Sequence, residues 1–320
     1  MEALTAPRGL IVDLITPLTR DGSIDGRGLG RHLDRVAPHA KALLLASPYT
    51  GEGKNLVLDQ RLELLEKALV VIRARLPILM WVTRETEEDT EETLLGLKKV
   101  LERRKYTGEV FWVDTPLYYH SNRGLPAYYQ DLCAKVDEPF ILHNDPEFIR
   151  GLARPLKRNN IRTAILKELI SLKPMVGLIF SGSLDRAHNY QRACHTRANF
   201  RIYDGDESHF LEHPSMSGTV SVGANLAPGA WQKITDSSLG LAGEQENYPD
   251  HLQQIWDLGM YLRDLRDIYQ QMPVALIKEA LSDMGIIETP TSTFPIENVE
   301  TQKGRLKELM AQHGDYPEAK

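Results

Sequence analysis

From residue 9 to about residue 232, short runs of consecutive apolar residues alternate with longer stretches in which apolar positions recur every three or four residues. Short continuous runs bounded by Gly, Pro and Asp read as strands buried on both faces, and the longer stretches read as amphipathic helices. The strand candidates are GLIVDLITP, ALLLASP, PILMWVT, GEVFWVDTP, PFILHND, PMVGLIFSG, FRIYDGD and GTVSVGAN. Between them, DQRLELLEKALVVIRARL places Leu62, Leu65, Leu69 and Ile72 on one stripe. TEEDTEETLLGLKKVLERRK begins with acids and ends with bases, as the helix dipole favours.

About eight strand–helix repeats is the number that closes a ring of parallel strands, so the pattern predicts an α/β fold, a (β/α)8 TIM barrel. An open doubly wound sheet is the rival, but it calls for a glycine-rich turn after the first strand, where this chain has TPLTRDGSID. The run GRGLG at Gly26 to Gly30 lacks the dinucleotide-binding spacing and falls in a helical pattern. After WQKI the pattern turns helical. The expected organisation is a barrel over residues 1–232 and a C-terminal helical segment over 233–320, packed on the barrel or on a neighbouring subunit.

Composition narrows the function classes. With 320 residues, 42% of them hydrophobic, the chain can bury a large core. A net charge of -6 gives no basic field for a phosphate backbone, which argues against a nucleic-acid partner. No apolar run approaches the roughly 20 residues of a membrane span, and MEALTAPRGL lacks the features of a secretory leader, so the expected location is cytoplasmic. Cys133 and Cys194 have no metal-ligand spacing and read as small packed residues.

Taken in order, GLIVDLITPLTRDGSID, SPYTGEGKNL, VDTPLYYHSNRGLPAYYQDL, PFILHNDP, MVGLIFSGS, YDGDE and GTVSVGANLAP resemble the successive strand-end motifs of the dihydrodipicolinate synthase and N-acetylneuraminate lyase family. The tail PVALIKEALSDMGI resembles its C-terminal helical segment. The resemblance implies a homo-dimeric or homo-tetrameric barrel that condenses or cleaves 2-keto acids through a lysine Schiff base, with no cofactor. An imine at the keto carbon acts as an electron sink, and an apolar setting lowers the lysine pKa so that the amine can attack.

This chain departs from that pattern where the chemistry sits. The sixth-strand motif, valine-glycine-isoleucine-lysine in the family, reads Val176, Gly177, Leu178, Ile179 here, and isoleucine forms no imine. The nearest upstream lysine, Lys173, precedes the strand and belongs to the other end of the barrel. His143 stands where the family has its relay tyrosine, and Tyr49 with Thr50 replace the threonine pair before Gly51 and Glu52. Tyr118 and Tyr119 match the tyrosine pair, and the turn Gly223 to Asn225 matches as well. The family's carboxylate-binding arginine is displaced: Phe148 lies near its position and Arg150 is the closest substitute. The catalytic candidates are therefore His143, Tyr118, Tyr119 and Thr50. The binding candidates are Tyr49, Gly51, Glu52, Arg150, Gly205, Asp206, Val220 and Asn225.

Acids have been gained. Asp13, Asp114 and Asp145 occupy strand ends where the family has small or apolar residues, and Asp206 and Glu207 follow the seventh strand. Facing inward, they would favour a cationic ligand or a divalent metal with His143 as co-ligand. The plainer reading is that such aspartates cap the following helices. The turn YTGEG is a candidate backbone cradle for an anion, and Lys54 beyond it is a solvated loop residue. HFLEH, from His209 to His213, fits a zinc-helix spacing, but His213 precedes Pro214, which disfavours helix there. Three functions are open: a keto-acid-sized metabolite pocket without imine chemistry, a non-catalytic binding or structural oligomer, and a metal-assisted lyase.

Overall fold

The structure is a computed structural model that describes residues 5–152, 158–214, 217–241, 248–295 and 299–316. Eight parallel strands close a barrel in sequence order: β1 (Gly9–Asp13), β2 (Ala42–Leu45), β3 (Ile78–Trp81), β4 (Val110–Asp114), β5 (Phe140–Asn144), β6 (Met175–Phe180), β7 (Arg201–Asp204) and β8 (Gly218–Ser221). Each lies within its expected apolar run and is shorter than it. Nearly every strand residue is buried, because one face meets the barrel interior and the other meets the helices.

The helices are α1 (Gly26–Val36), α2 (Leu58–Ile72), α3 (Glu87–Arg104), α4 (Leu125–Cys133), α5 (Pro146–Arg150), α6 (Thr163–Leu169), α7 (Leu184–Cys194), α8 (Glu207–Glu212), α9 (Pro228–Ser238), α10 (Tyr248–Tyr269), α11 (Pro273–Asp283) and α12 (Glu300–Gln312). GRGLG opens α1, where Asp25 caps the helix by accepting from the Gly28 amide at 2.8 Å. In α2 the buried stripe runs through Leu64, Leu65, Ala68, Leu69 and Ile72, and Leu62 is only half-buried at its edge. Thr86 caps α3, whose first turn carries Glu87, Glu88 and Asp89 and whose last carries Arg103 and Arg104. HFLEH does not form a two-histidine face, because α8 ends at Glu212 and His213 leaves helical geometry.

The helix α9 passes through residue 232, runs to Ser238 and packs on β1 and β8. Of the remaining helices, α10 packs on α8 and α9, and α11 and α12 pack on α10 and on each other. They reach the loops at the C-terminal ends of the strands: Tyr269 donates to Glu207 at 2.5 Å, Lys278 pairs with Glu52 at 2.5 Å, and Thr289 donates to the Leu18 carbonyl at 2.9 Å. The extension therefore buttresses the end of the barrel where ligands bind in this architecture. Among the described residues, no helix is long and apolar enough to cross a membrane.

Candidate functional site

A cavity of about 160 Å³ opens at the C-terminal end of the strands, lined by Asp13, Leu44, Ser47 to Thr50, Trp81, Val113, His143, Asp145, Ile179, Ser181, Gly205, Val220 and Val222. Side chains two apart on a strand share a face, which is why Ile179 and Ser181, and His143 and Asp145, enter together. In the pairing of β5 with β6, His143 sits beside Ile179. Gly205 keeps the cup open: a Cβ there would come within 2.2 Å of Ser181 Oγ and 3.2 Å of Ile179 Cγ2.

The polar groups of the cup are acids, hydroxyls and one imidazole, and no lysine or arginine lines it among the described residues. Asp13 is 8% exposed, and its Oδ1 has no hydrogen-bond partner. Burial pushes its carboxyl up to about 7, against the opposing pull of the Ser47 and Thr50 hydroxyls and with a smaller push from Glu207. Burial also lowers the His143 imidazole below its ordinary value, with Asp145 pulling it back. His143 Nδ1 lies 2.9 Å from the Thr115 hydroxyl, whose oxygen accepts from Trp81 Nε1 at 2.9 Å. The simplest assignment has Thr115 donating its proton to Nδ1, so that His143 carries its own proton on Nε2.

The expected site residues divide sharply. Thr50, Tyr49, His143, Ile179, Gly205, Val220, Asp13 and Asp145 line the cavity. Tyr118 is buried beside it, stacked on Phe148 at 4.9 Å, and Phe148 in turn meets the Tyr49 ring edge-on at 5.3 Å. Tyr119 and Asp114 do not enter. Val113 takes the inward position of β4, so Asp114 points outward, where it accepts from Thr83, Tyr119 and Tyr129, each at 2.6 Å.

Other candidates serve the scaffold. Glu52 is fully buried, ion-paired with Lys278, and accepts from Ser292 and from the Thr293 amide. Asn225 clamps β8 to β1, accepting from the Ile15 amide at 3.2 Å and donating to the Asp13 carbonyl at 2.7 Å. Asp206 caps α8 and lies 3.6 Å from Arg266, and Asp145 uses Oδ1 to cap α5. Arg150 is exposed on α5 beside Glu147, away from the cavity. Lys54 and Lys173 are exposed, outside the lining, and Lys173 precedes β6.

The anion cradle is not formed. The amides of Gly51, Glu52, Gly53 and Lys54 all donate within the turn, to Ser47 Oγ, Tyr49 O, Ser47 O and Pro48 O. Nor does a metal cluster assemble: among the described residues no group of three or more His, Cys, Asp or Glu side chains is arranged to hold an ion. Three contributors escape a reading by motif. Ser181 is detectable only as the residue two beyond Ile179, Trp81 only as a strand terminus, and Thr115 acts through His143. The Cys133 and Cys194 thiols are both pushed up to about 12 by burial, which leaves them inert.

Comparison with known proteins bears on the family and the fold. The model of the dihydrodipicolinate synthetase family matches residues 6–313. A 4-hydroxy-tetrahydrodipicolinate synthase of Shewanella pealeana is 25% identical over 308 residues, covering 94% of this chain and 96% of its own. The dihydrodipicolinate synthase of Aquifex aeolicus superposes with a TM-score of 0.78 at 19% identity, covering 98% of this chain and all of its own. The chloride-inhibited synthase of Acinetobacter baumannii, solved in complex with pyruvate, gives 0.74 at 20% identity, with 97% and 99% coverage.

Proposed function

The chain belongs to the dihydrodipicolinate synthetase family, and we propose that it is a member that holds a small metabolite of keto-acid size non-covalently in the barrel mouth, without imine chemistry. The observation that carries this reading is Ile179 in the cavity lining, at the position where the family resemblance expects a lysine, with no other lysine nitrogen among the lining residues. The buried Lys278 does not substitute for it, since its amine is held by Glu52 and by the Thr291 carbonyl at 2.7 Å. The chemistry left to the pocket is proton transfer. Burial raises the Asp13 carboxyl to about 7 and lowers the His143 imidazole below its ordinary value, so Asp13 can give or take a proton near neutrality and a neutral His143 can accept one.

The metal-assisted reading has no comparable support, because Asp114 faces outward and Asp145 is committed to a cap. The homo-oligomer implied by the resemblance belongs to the same proposal. Leu252, Trp256 and Met260, exposed on one face of α10, offer apolar surface for it.

The test is a metabolite screen by thermal shift on the wild type and on Gly205→Val. A Cβ at residue 205 collides with Ser181 and a larger side chain fills the cup, so a ligand seated there stabilises the wild type and leaves the variant unmoved. Equal stabilisation of both would place the ligand elsewhere and overturn the reading.

A further inference from the structure

At the opposite end of the barrel, beside the starts of β7, β8 and β1, we infer a second binding site, which takes the phosphoryl group of a small phosphate monoester on Arg201, Arg8 and the Ser217 hydroxyl. The pocket there has a volume of about 360 Å³, and its lining contains Arg8, Arg197 and Arg201 and no carboxylate. The chain has 44 acids to 38 lysines and arginines, yet none of these three arginines is in an ion pair among the described residues. A guanidinium does not lose its proton to relieve repulsion from its neighbours. An anion relieves it.

Two of the three have partners in the scaffold. Arg197 donates to the Ile170, Leu172 and Lys173 carbonyls after α6 at 2.7, 3.0 and 2.9 Å, and to Asn199 at 3.3 Å, so it adds charge and little else. Arg8 donates once, to the Leu239 carbonyl after α9 at 3.0 Å, which leaves the rest of its fork unused. Arg201 has no such partner. Among the described residues its guanidinium makes no hydrogen bond and no ion pair, and its Nε is buried without an acceptor. That arrangement costs the fold stability. The terminal nitrogens of Arg201 are the ones left to reach a ligand.

Backbone pairing sets the donors side by side. The Ser217 amide donates to the Ile202 carbonyl at 2.8 Å, and the Gly9 amide to the Ser217 carbonyl at 2.9 Å. Arg201, Ser217 and Arg8 therefore stand at the starts of three adjacent strands. With neighbouring strands about 4.8 Å apart, the two arginine backbones flank a gap of about 10 Å, which long side chains can close around one compact group. Ser217 Oγ accepts from the Ile202 amide at 3.3 Å and keeps its own proton to donate.

Charge and size define the occupant. Two guanidiniums with donors to spare call for two negative charges on one group. A phosphate monoester carries roughly -1.5 to -2 at neutral pH and offers three acceptor oxygens, where a carboxylate brings one charge and two oxygens. The volume lies at the small end of the roughly 300–1,000 Å³ range of ligand pockets. It leaves room beyond the phosphoryl group for a short carbon skeleton against Ala198, Phe200 and Ile202. The mouth cavity shares no lining residue with this pocket, so the inference stands apart from the reading of the mouth.

Isothermal titration of the full chain with glycerol 3-phosphate, inorganic phosphate, succinate and glycerol, at low and at near-physiological salt, tests this. The ester is expected to bind at one site per chain, at least about tenfold more tightly than succinate, with glycerol silent, and to weaken as salt rises. Arg201→Gln and Arg8→Gln each lower the ester affinity at least about tenfold, and Gly205→Val leaves it unchanged. Without ligand, Arg201→Gln melts no lower than the wild type, because the guanidinium has no partner to lose. The ranking of the probes on the wild type needs no variant, so a variant that fails to fold does not blunt the test. Succinate binding as tightly as the ester, inorganic phosphate binding more tightly than it, full affinity in Arg201→Gln, or a wild type silent to both phosphates overturns the inference. An ester heat that disappears in Gly205→Val places the ligand in the mouth and overturns it as well.

Discussion

His143 on β5 and Ile179 on β6 are direct neighbours across a parallel strand pairing, and both side chains line the same cavity. An imidazole poised for proton transfer thus stands next to a hydrocarbon side chain that can neither donate, accept nor form a covalent bond. Asp145 and Ser181 enter beside them, and the opposite wall adds Asp13 with Ser47 and Thr50. What a ligand meets here is an acid–base cup with an apolar floor.

Asp13 makes the stability of the protein depend on pH in a defined direction. Its folded value of about 7 lies above the ordinary 3.8, so the native state holds the proton more tightly. The stability associated with that proton is complete below about pH 4 and is lost as the pH rises through 7. Asp13→Asn removes the dependence. Chemical denaturation is expected to show the variant gaining about 3 kcal/mol relative to the wild type between pH 5 and pH 8. A constant difference across that range would mean that Asp13 stays ionised throughout.

Tyr119, where the family resemblance expects a tyrosine, has its hydroxyl bonded to Asp114 on the outer side of β4. Tyr119→Phe is expected to cost about 1–3 kcal/mol of stability, the range for removing one partner of a buried polar group, and to leave ligand affinity in the cavity unchanged. Loss of affinity without loss of stability would return the hydroxyl to the site.

Much of this was legible in the chain because parallel barrel strands are continuous apolar runs, and the eight runs correspond to the eight strands. The facing of individual side chains was not. Asp114 and Val113 are adjacent, and a strand of alternating inward and outward positions sends one of them to the cavity and the other to Tyr129. Only the closed ring decides which. The GEG turn likewise resembles a binding loop, but its Glu52 is claimed by Lys278, a partner 226 positions away that no local pattern reveals. Thr115 is invisible as a site residue because it touches the imidazole and is absent from the lining.

The Glu52 and Lys278 pair ties the C-terminal extension to the turn that carries Thr50. Neither side chain is exposed, so removing one charge strands the other in a medium that solvates it poorly. Lys278→Met is expected to cost about 3–5 kcal/mol, and the double variant Glu52→Gln/Lys278→Met to recover a large part of that loss. Denaturant unfolding of the two variants beside the wild type checks this. A single substitution costing under about 1 kcal/mol would show that the pair is solvated.

The absence of an amine beside His143 is tested most directly by incubating the protein with pyruvate and borohydride and weighing it intact. The account predicts an unmodified mass for the wild type, together with a one-to-one reduced pyruvyl adduct for Ile179→Lys, whose new amine would enter the cup next to His143. A stoichiometric adduct on the wild-type chain would contradict it, since a lysine elsewhere would then be carrying the imine.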